Sequence, residues 1–216
     1  MTTNKTKQRT QHFYLVVLAV ALAWVAYMIP WVVNPGASLS LGASDLAEWA
    51  SLHPEVRAAS PSLLTSLLLR LPPVCLMLIM AFSVPTTSRL NSHELRLAVM
   101  VIGVLLLFAF PPLEIFSGAR GDKNYQQQMM LVIMGVIGSG IGLTRILPAF
   151  RPYIVVICAI VGVGVSLWGL QQAHALMIGF DLPVRVGFGG VGFNIILLAI
   201  LIGTWLKNVK QGNILQ

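Results

Sequence analysis

The chain has 216 residues, of which 56% are hydrophobic and only 10% charged. An ordinary soluble domain carries about 25% charged residues, so the composition excludes that class and points to one transmembrane domain spanning residues 1–216. The formal charge of +7 arises from 14 Lys and Arg against 7 Asp and Glu. These basic residues flank apolar runs, where they set orientation, and no basic surface interleaved with aromatics suggests a nucleic-acid partner.

Six apolar runs reach the roughly 20 residues that a membrane-crossing helix needs. In chain order they are 13–33, 63–84, 97–116, 129–147, 153–171 and 186–206. The expected fold class is therefore all-α: a polytopic integral membrane bundle of six transmembrane helices, with a short amphipathic outer helix between the first and second. The first span follows Lys5, Lys7 and Arg9. Its apolar run is longer than a signal-peptide core and no small-x-small site follows, so it reads as an uncleaved anchor.

The longest connection, residues 34–62, separates spans 1 and 2. Within it, Asp45 and Glu48 have the spacing of a capping box, an N-cap acid and an acid three residues on that reaches back. Both complement the positive end of a helix dipole. Pro54 stops the helix, and Leu46, Trp49, Ala50 and His53 share one face. Three uses fit: an interfacial helix anchored by Trp49, a docking element for a partner, or a lid over a cavity. His53 reads as a capping or hydrogen-bonding residue, because no second metal ligand is spaced to help it.

Span 2 carries Arg70, Leu71, Pro72 and Pro73; span 3 carries Pro111, Pro112, Leu113 and Glu114. On antiparallel neighbours the two charges fall level, so the expected arrangement is an intramembrane Arg70–Glu114 ion pair, either structural or used in gating. A lone charge at that depth costs several kcal/mol, and a guanidinium meets a carboxylate with two parallel bonds. Pro72, Pro73, Pro111 and Pro112 predict kinks, with freed carbonyls near Ser66, Leu68, Leu69 and Leu107.

Spans 4 and 6 are glycine-rich. Gly138 and Gly142 form a GxxxG spacing, and Gly187, Gly189, Gly190 and Gly192 open span 6. Such small residues predict close helix packing. The Gly187–Gly192 run also matches GxGxxG, but it opens a membrane helix without a preceding strand, so it is no dinucleotide site. Asn194 predicts a hydrogen bond across the bundle. Cys75 and Cys158 read as buried small hydrophobes. The sequence names no cofactor. A bound lipid fits the bundle; no pair of histidines faces inward at similar depth, which disfavours a bis-His haem, and His174 is left as the one candidate for a single axial ligand to a haem or chlorin, a disfavoured use.

Orientation follows from the basic residues. Lys5, Lys7, Arg9, Arg89, Arg96, Arg145, Arg151, Lys207 and Lys210 fall on the side of the termini; Arg57, Arg120, Lys123 and Arg185 fall opposite. That bias predicts cytoplasmic termini in the plasma (inner) membrane. No HExxH, GxSxG or P-loop appears. The leading expectation is a non-catalytic subunit of a membrane complex, in contact with lipids and with other membrane subunits or further copies of itself. The alternatives are a small-solute or lipid permease using the Arg70/Glu114 region, and a membrane-embedded lipid-modifying enzyme.

Overall fold

The computed structural model describes residues 2–36, 38–86, 92–144 and 146–210. Arg89 and Arg145 lie outside the described residues, as do the side chains of Lys5, Lys7, Arg9 and Lys210. Helix α1, Thr2–Met28, leads into strands β1, Val32–Asn34, and β2, Leu39–Leu41. Helices α2, Ala43–Leu52, and α3, Pro54–Ala58, follow, then α4, Leu64–Ser83, and α5, His93–Ala109. A 3-10 turn, Leu113–Phe116, precedes α6, Lys123–Thr144, and α7, Arg151–Gly179; the short strand β3, Arg185–Val186, leads into α8, Phe188–Lys210.

Helices α1, α4, α6, α7 and α8 are long and apolar enough to cross a membrane, by length and composition. The chain is an all-α multi-pass membrane bundle, but among the described residues five helices, rather than the expected six, have the length and composition of a span. Helix α5 has only 17 residues, at the lower limit of about 17–25 for a span. It stops at Ala109 because Pro111 holds Phe110 extended, with φ −68° and ψ 136°. Glu114 therefore leaves the third span altogether and sits in the 3-10 turn.

Successive long helices run in opposite directions. At one end, here the terminal end, Lys207 of α8 is the charged neighbour of His12 of α1. There too the Tyr14 hydroxyl lies 3.4 Å from His93 Nδ1 at the start of α5. At the other, the cap end, Gln128 Nε2 of α6 donates to Ala109 O of α5 at 3.2 Å, and Thr65 of α4 donates to Gln172 of α7 at 2.8 Å. Helix α5 thus follows the same course as its longer neighbours. The start of α1 and the end of α8 therefore lie at the same end.

Helix α4 is the axis: 78% of its apolar window is buried, against 28–39% for the other four long helices. Helices α1, α5, α6 and α7 pack on it and α8 packs on α1 and α7, with small residues at several of the contacts. A Cβ on Gly138 of α6 would lie 2.5 Å from Leu78 Cδ2, and one on Gly142 would lie 2.8 Å from Ala81 Cβ. The GxxxG spacing thus faces α4 within the same chain.

The two diprolines behave differently. Helix α4 continues through Pro72 and Pro73, whereas Pro111 and Pro112 end α5. Pro73 has no N–H for the carbonyl of Leu69, and that carbonyl instead accepts from the Tyr27 hydroxyl at 3.0 Å. The neighbouring ring of Trp31 is fully buried and donates from Nε1 to Ala26 O at 3.0 Å.

Pro30 halts α1 five residues before the expected boundary. The chain then forms a small antiparallel sheet of order β2-β1-β3, a feature with no precedent in the hydropathy pattern. The sheet fastens the exit of α1 to the entry of α8. Gly187 N donates to Trp31 O at 2.8 Å and Gly189 N to Pro30 O at 2.9 Å. A Cβ at Gly187 would sit 2.2 Å from Pro30 O and one at Gly189 2.4 Å from Ile29 O, while at Gly192 the nearest atom is Ala26 Cβ at 3.8 Å. Gly189→Ala is therefore expected to destabilise the protein by about 1–3 kcal/mol, and Gly192→Ala to be nearly neutral. Thermal unfolding of the two variants in detergent checks the contrast; equal shifts would refute the close-approach account.

Candidate functional site

The cap end gathers several linked polar side chains of the described residues. Helix α2 buries Ala43, Leu46, Ala47, Ala50 and Ser51, mainly against the start of α4. Its N-cap is Gly42, with no side-chain capping bond. The helix begins there because the chain must pass the end of α1: a Cβ on Gly42 would lie 2.7 Å from Met28 O. Asp45 consequently falls in the first turn rather than at the N-cap, and Glu48 is released from the expected capping box.

Glu48 instead pairs with Arg70. Arg70 is 9% exposed while the Glu48 side chain is 48% exposed. Arg70 Nη2 donates to Glu48 Oε2, and Nη1 donates to Asn124 Oδ1. Asn124 Nδ2 in turn donates to Glu48 Oε2 at 3.3 Å. The expected Arg70–Glu114 pair is not formed: Glu114 is exposed in its turn, and its backbone carbonyl accepts from Ser117 and Ala119. Arg70 lies roughly 9 Å into α4 by helical rise, and its long side chain reaches toward the cap, as charged groups in apolar surroundings do.

Other bonds hold the cap to the bundle. Arg57 of α3 donates from Nε to Ser51 O at 2.7 Å, and its Nη2 lies 3.9 Å from Asp122 Oδ2. Asp122 also accepts from Asn124 N at 2.7 Å, which caps the start of α6. His53 joins α2 to α3, and its Nδ1 accepts from Glu55 N at 3.2 Å. The His53 ring meets Phe180 edge-on at 4.7 Å, and Trp49 packs at 5.7 Å from His53 and 6.4 Å from Phe180. Trp49 thus docks on the overhang of α7.

That overhang also shapes a cavity. Helix α7 has 29 residues, about 43 Å of helix against a hydrocarbon thickness of about 30 Å. Nothing in Gln171–Gly179 breaks a helix, so it continues past the expected boundary. A cavity of about 570 Å³ opens between its last turns and the α3–α4 connection, lined among others by His53, Glu55, Thr65, Gln172, Leu176 and Phe180.

At the terminal end, Arg151 has a role that its position in a short basic flank concealed. It is 5% exposed. Its guanidinium donates to Phe82 O at 3.1 Å, Gly142 O at 2.7 Å, Ala81 O at 2.9 Å and Val84 O at 3.0 Å. These carbonyls close α4 and α6, whose C-terminal dipole ends attract a cation. A signal existed in the sequence. A basic residue in the first turn of its own helix is on the wrong side of that helix's dipole, which suggests that its charge serves another one.

Within the bundle, Ser166 Oγ lies 2.8 Å from Asn194 Oδ1 and Asn194 Nδ2 donates to Gly190 O at 2.8 Å, joining α7 to α8. Cys75 and Cys158 are buried free thiols. His174 is half-buried on α7, and no group of three His, Cys, Asp or Glu suited to a metal occurs among the described residues. The chain matches no protein-family model, no curated protein and no solved structure.

Proposed function

We propose that the protein is a non-catalytic integral membrane subunit that presents its α2–α3 cap to partner chains, with both termini cytoplasmic in the plasma (inner) membrane. The observation that carries this reading is the commitment of Arg70: both of its terminal nitrogens are bonded, to Glu48 and to Asn124. A permease that used this charge would need it to exchange partners during transport. Here its bonds join α2 to α4 and α6, which supports a fixed docking platform over a hinged lid. The tilt of basic residues toward the terminal end supports the orientation.

Gentle extraction followed by native mass spectrometry tests the role. The expected result is a stoichiometric partner chain, or a defined oligomer, that is weakened by Glu48→Gln. A lone chain that moves solute in proteoliposomes, with the flux abolished by Arg70→Met, would overturn it in favour of the permease. Orientation has its own readout: Ser60→Cys at the cap end should react with an impermeant maleimide in intact cells. The native thiols are buried, so the background is low.

A further inference from the structure

We propose that the cavity between α3 and the overhang of α7 binds a monocationic amphiphile, an amine joined to a short apolar body and carrying a hydrogen-bond acceptor. The volume of about 570 Å³ suits a small organic ligand, since such sites commonly span about 300–1,000 Å³. Its walls include Val56, Pro61, Leu64, Leu176 and Phe180, which accept the apolar body.

Two polar side chains of the lining, His53 and Gln172, each keep a donor that has no protein acceptor among the described residues. His53 is 7% exposed. Because its Nδ1 accepts a backbone N–H, the neutral ring carries its proton on Nε2, and that donor has no protein acceptor among the described residues. Gln172 accepts from Thr65 through Oε1, so its Nε2 amide is the second free donor. Together they suit an ester, amide or hydroxyl oxygen.

Charge decides the remainder. Glu55 is the sole formally charged residue of the lining; its carboxylate is exposed, and Arg57 is engaged by Ser51 and Asp122. An anion would meet a carboxylate with no compensating cation, so the site selects against phosphates and carboxylates. Glu55 and Phe180 both line the cavity, and an amine is attracted to a carboxylate and to an aromatic ring. The amine can be free in the aqueous phase at the cap end or carried by a lipid that has no phosphate.

The test compares hexylamine, hexanol and hexanoate, which share a tail and differ in charge, on the full chain in phosphatidylcholine nanodiscs. Binding is read from isothermal titration calorimetry and thermal shift. Hexylamine is expected to bind at least tenfold more tightly than hexanoate, with hexanol between them. Glu55→Gln should remove most of the preference for the amine while leaving hexanol unchanged, and Ala175→Trp, which fills the cavity from an exposed helix position, should abolish all three. Competition by added sphingosine, a single-amine lipid without phosphate, identifies the lipid source; its absence identifies a free amine, and both agree with the proposal. Equal affinity for the three probes, or an amine preference indifferent to both substitutions, overturns it.

Discussion

Arg151→Leu is expected to be the most damaging single substitution in the bundle. It removes the donors from four carbonyls at the ends of α4 and α6 in a site that is closed to solvent. A buried acceptor left unpaired costs about 1–3 kcal/mol, and some of the four will find water once the side chain is gone. The net loss should be about 3–5 kcal/mol, comparable to breaking a buried charged network. Arg151→Lys separates charge from geometry. An ammonium keeps the attraction to two helix C-termini but cannot span carbonyls on both helices with a planar fork, so it should recover about half of the stability. Chemical denaturation in mild detergent, followed by tryptophan fluorescence, measures both. Full rescue by lysine would show that charge alone matters; an unchanged midpoint for Arg151→Leu would remove the clamp from the account of the fold.

Hydropathy located the long helices because a membrane span needs a continuous apolar run, and Asn194 was readable because an amide in such a run must find a partner. The end of α5 was missed by several residues. The apolar run continues through Pro111 and Pro112, and composition cannot distinguish a diproline that a helix tolerates from one that ends it. In α4 the freed Leu69 carbonyl has Tyr27 to receive it, a contact between residues 42 positions apart. The sheet at the cap was missed because its strands of two and three residues are too short to show alternation. The partner of Arg70 was misread for a related reason. Glu48 looked locally satisfied as half of a capping box, and only the close passage of Gly42 past Met28 shifts the helix start enough to free its carboxylate.

That reassignment yields the second large effect, and its asymmetry is the informative part. Glu48→Ala leaves the guanidinium of Arg70 buried, with Asn124 as its remaining partner. Arg70→Met leaves Glu48 half in water, where a carboxylate is well solvated, and puts an apolar side chain into an apolar site. Glu48→Ala should therefore be the more destabilising, by about 2 kcal/mol; this is below the range for fully buried pairs because water reaches the Glu48 side. Adding Arg70→Met to Glu48→Ala should restore more than half of the loss, a coupling of about 1–2 kcal/mol in a double-mutant cycle. Asn124→Ala belongs to the same network and should also couple to Arg70. Glu114→Leu should be additive with every one of them, since Glu114 stands exposed in its own turn. Denaturation midpoints of the single and double variants measure these energies. Coupling of Arg70 to Glu114 instead of Glu48 would restore the intramembrane pair expected from level charges on neighbouring spans, and with it the case for a mobile charge in a permease.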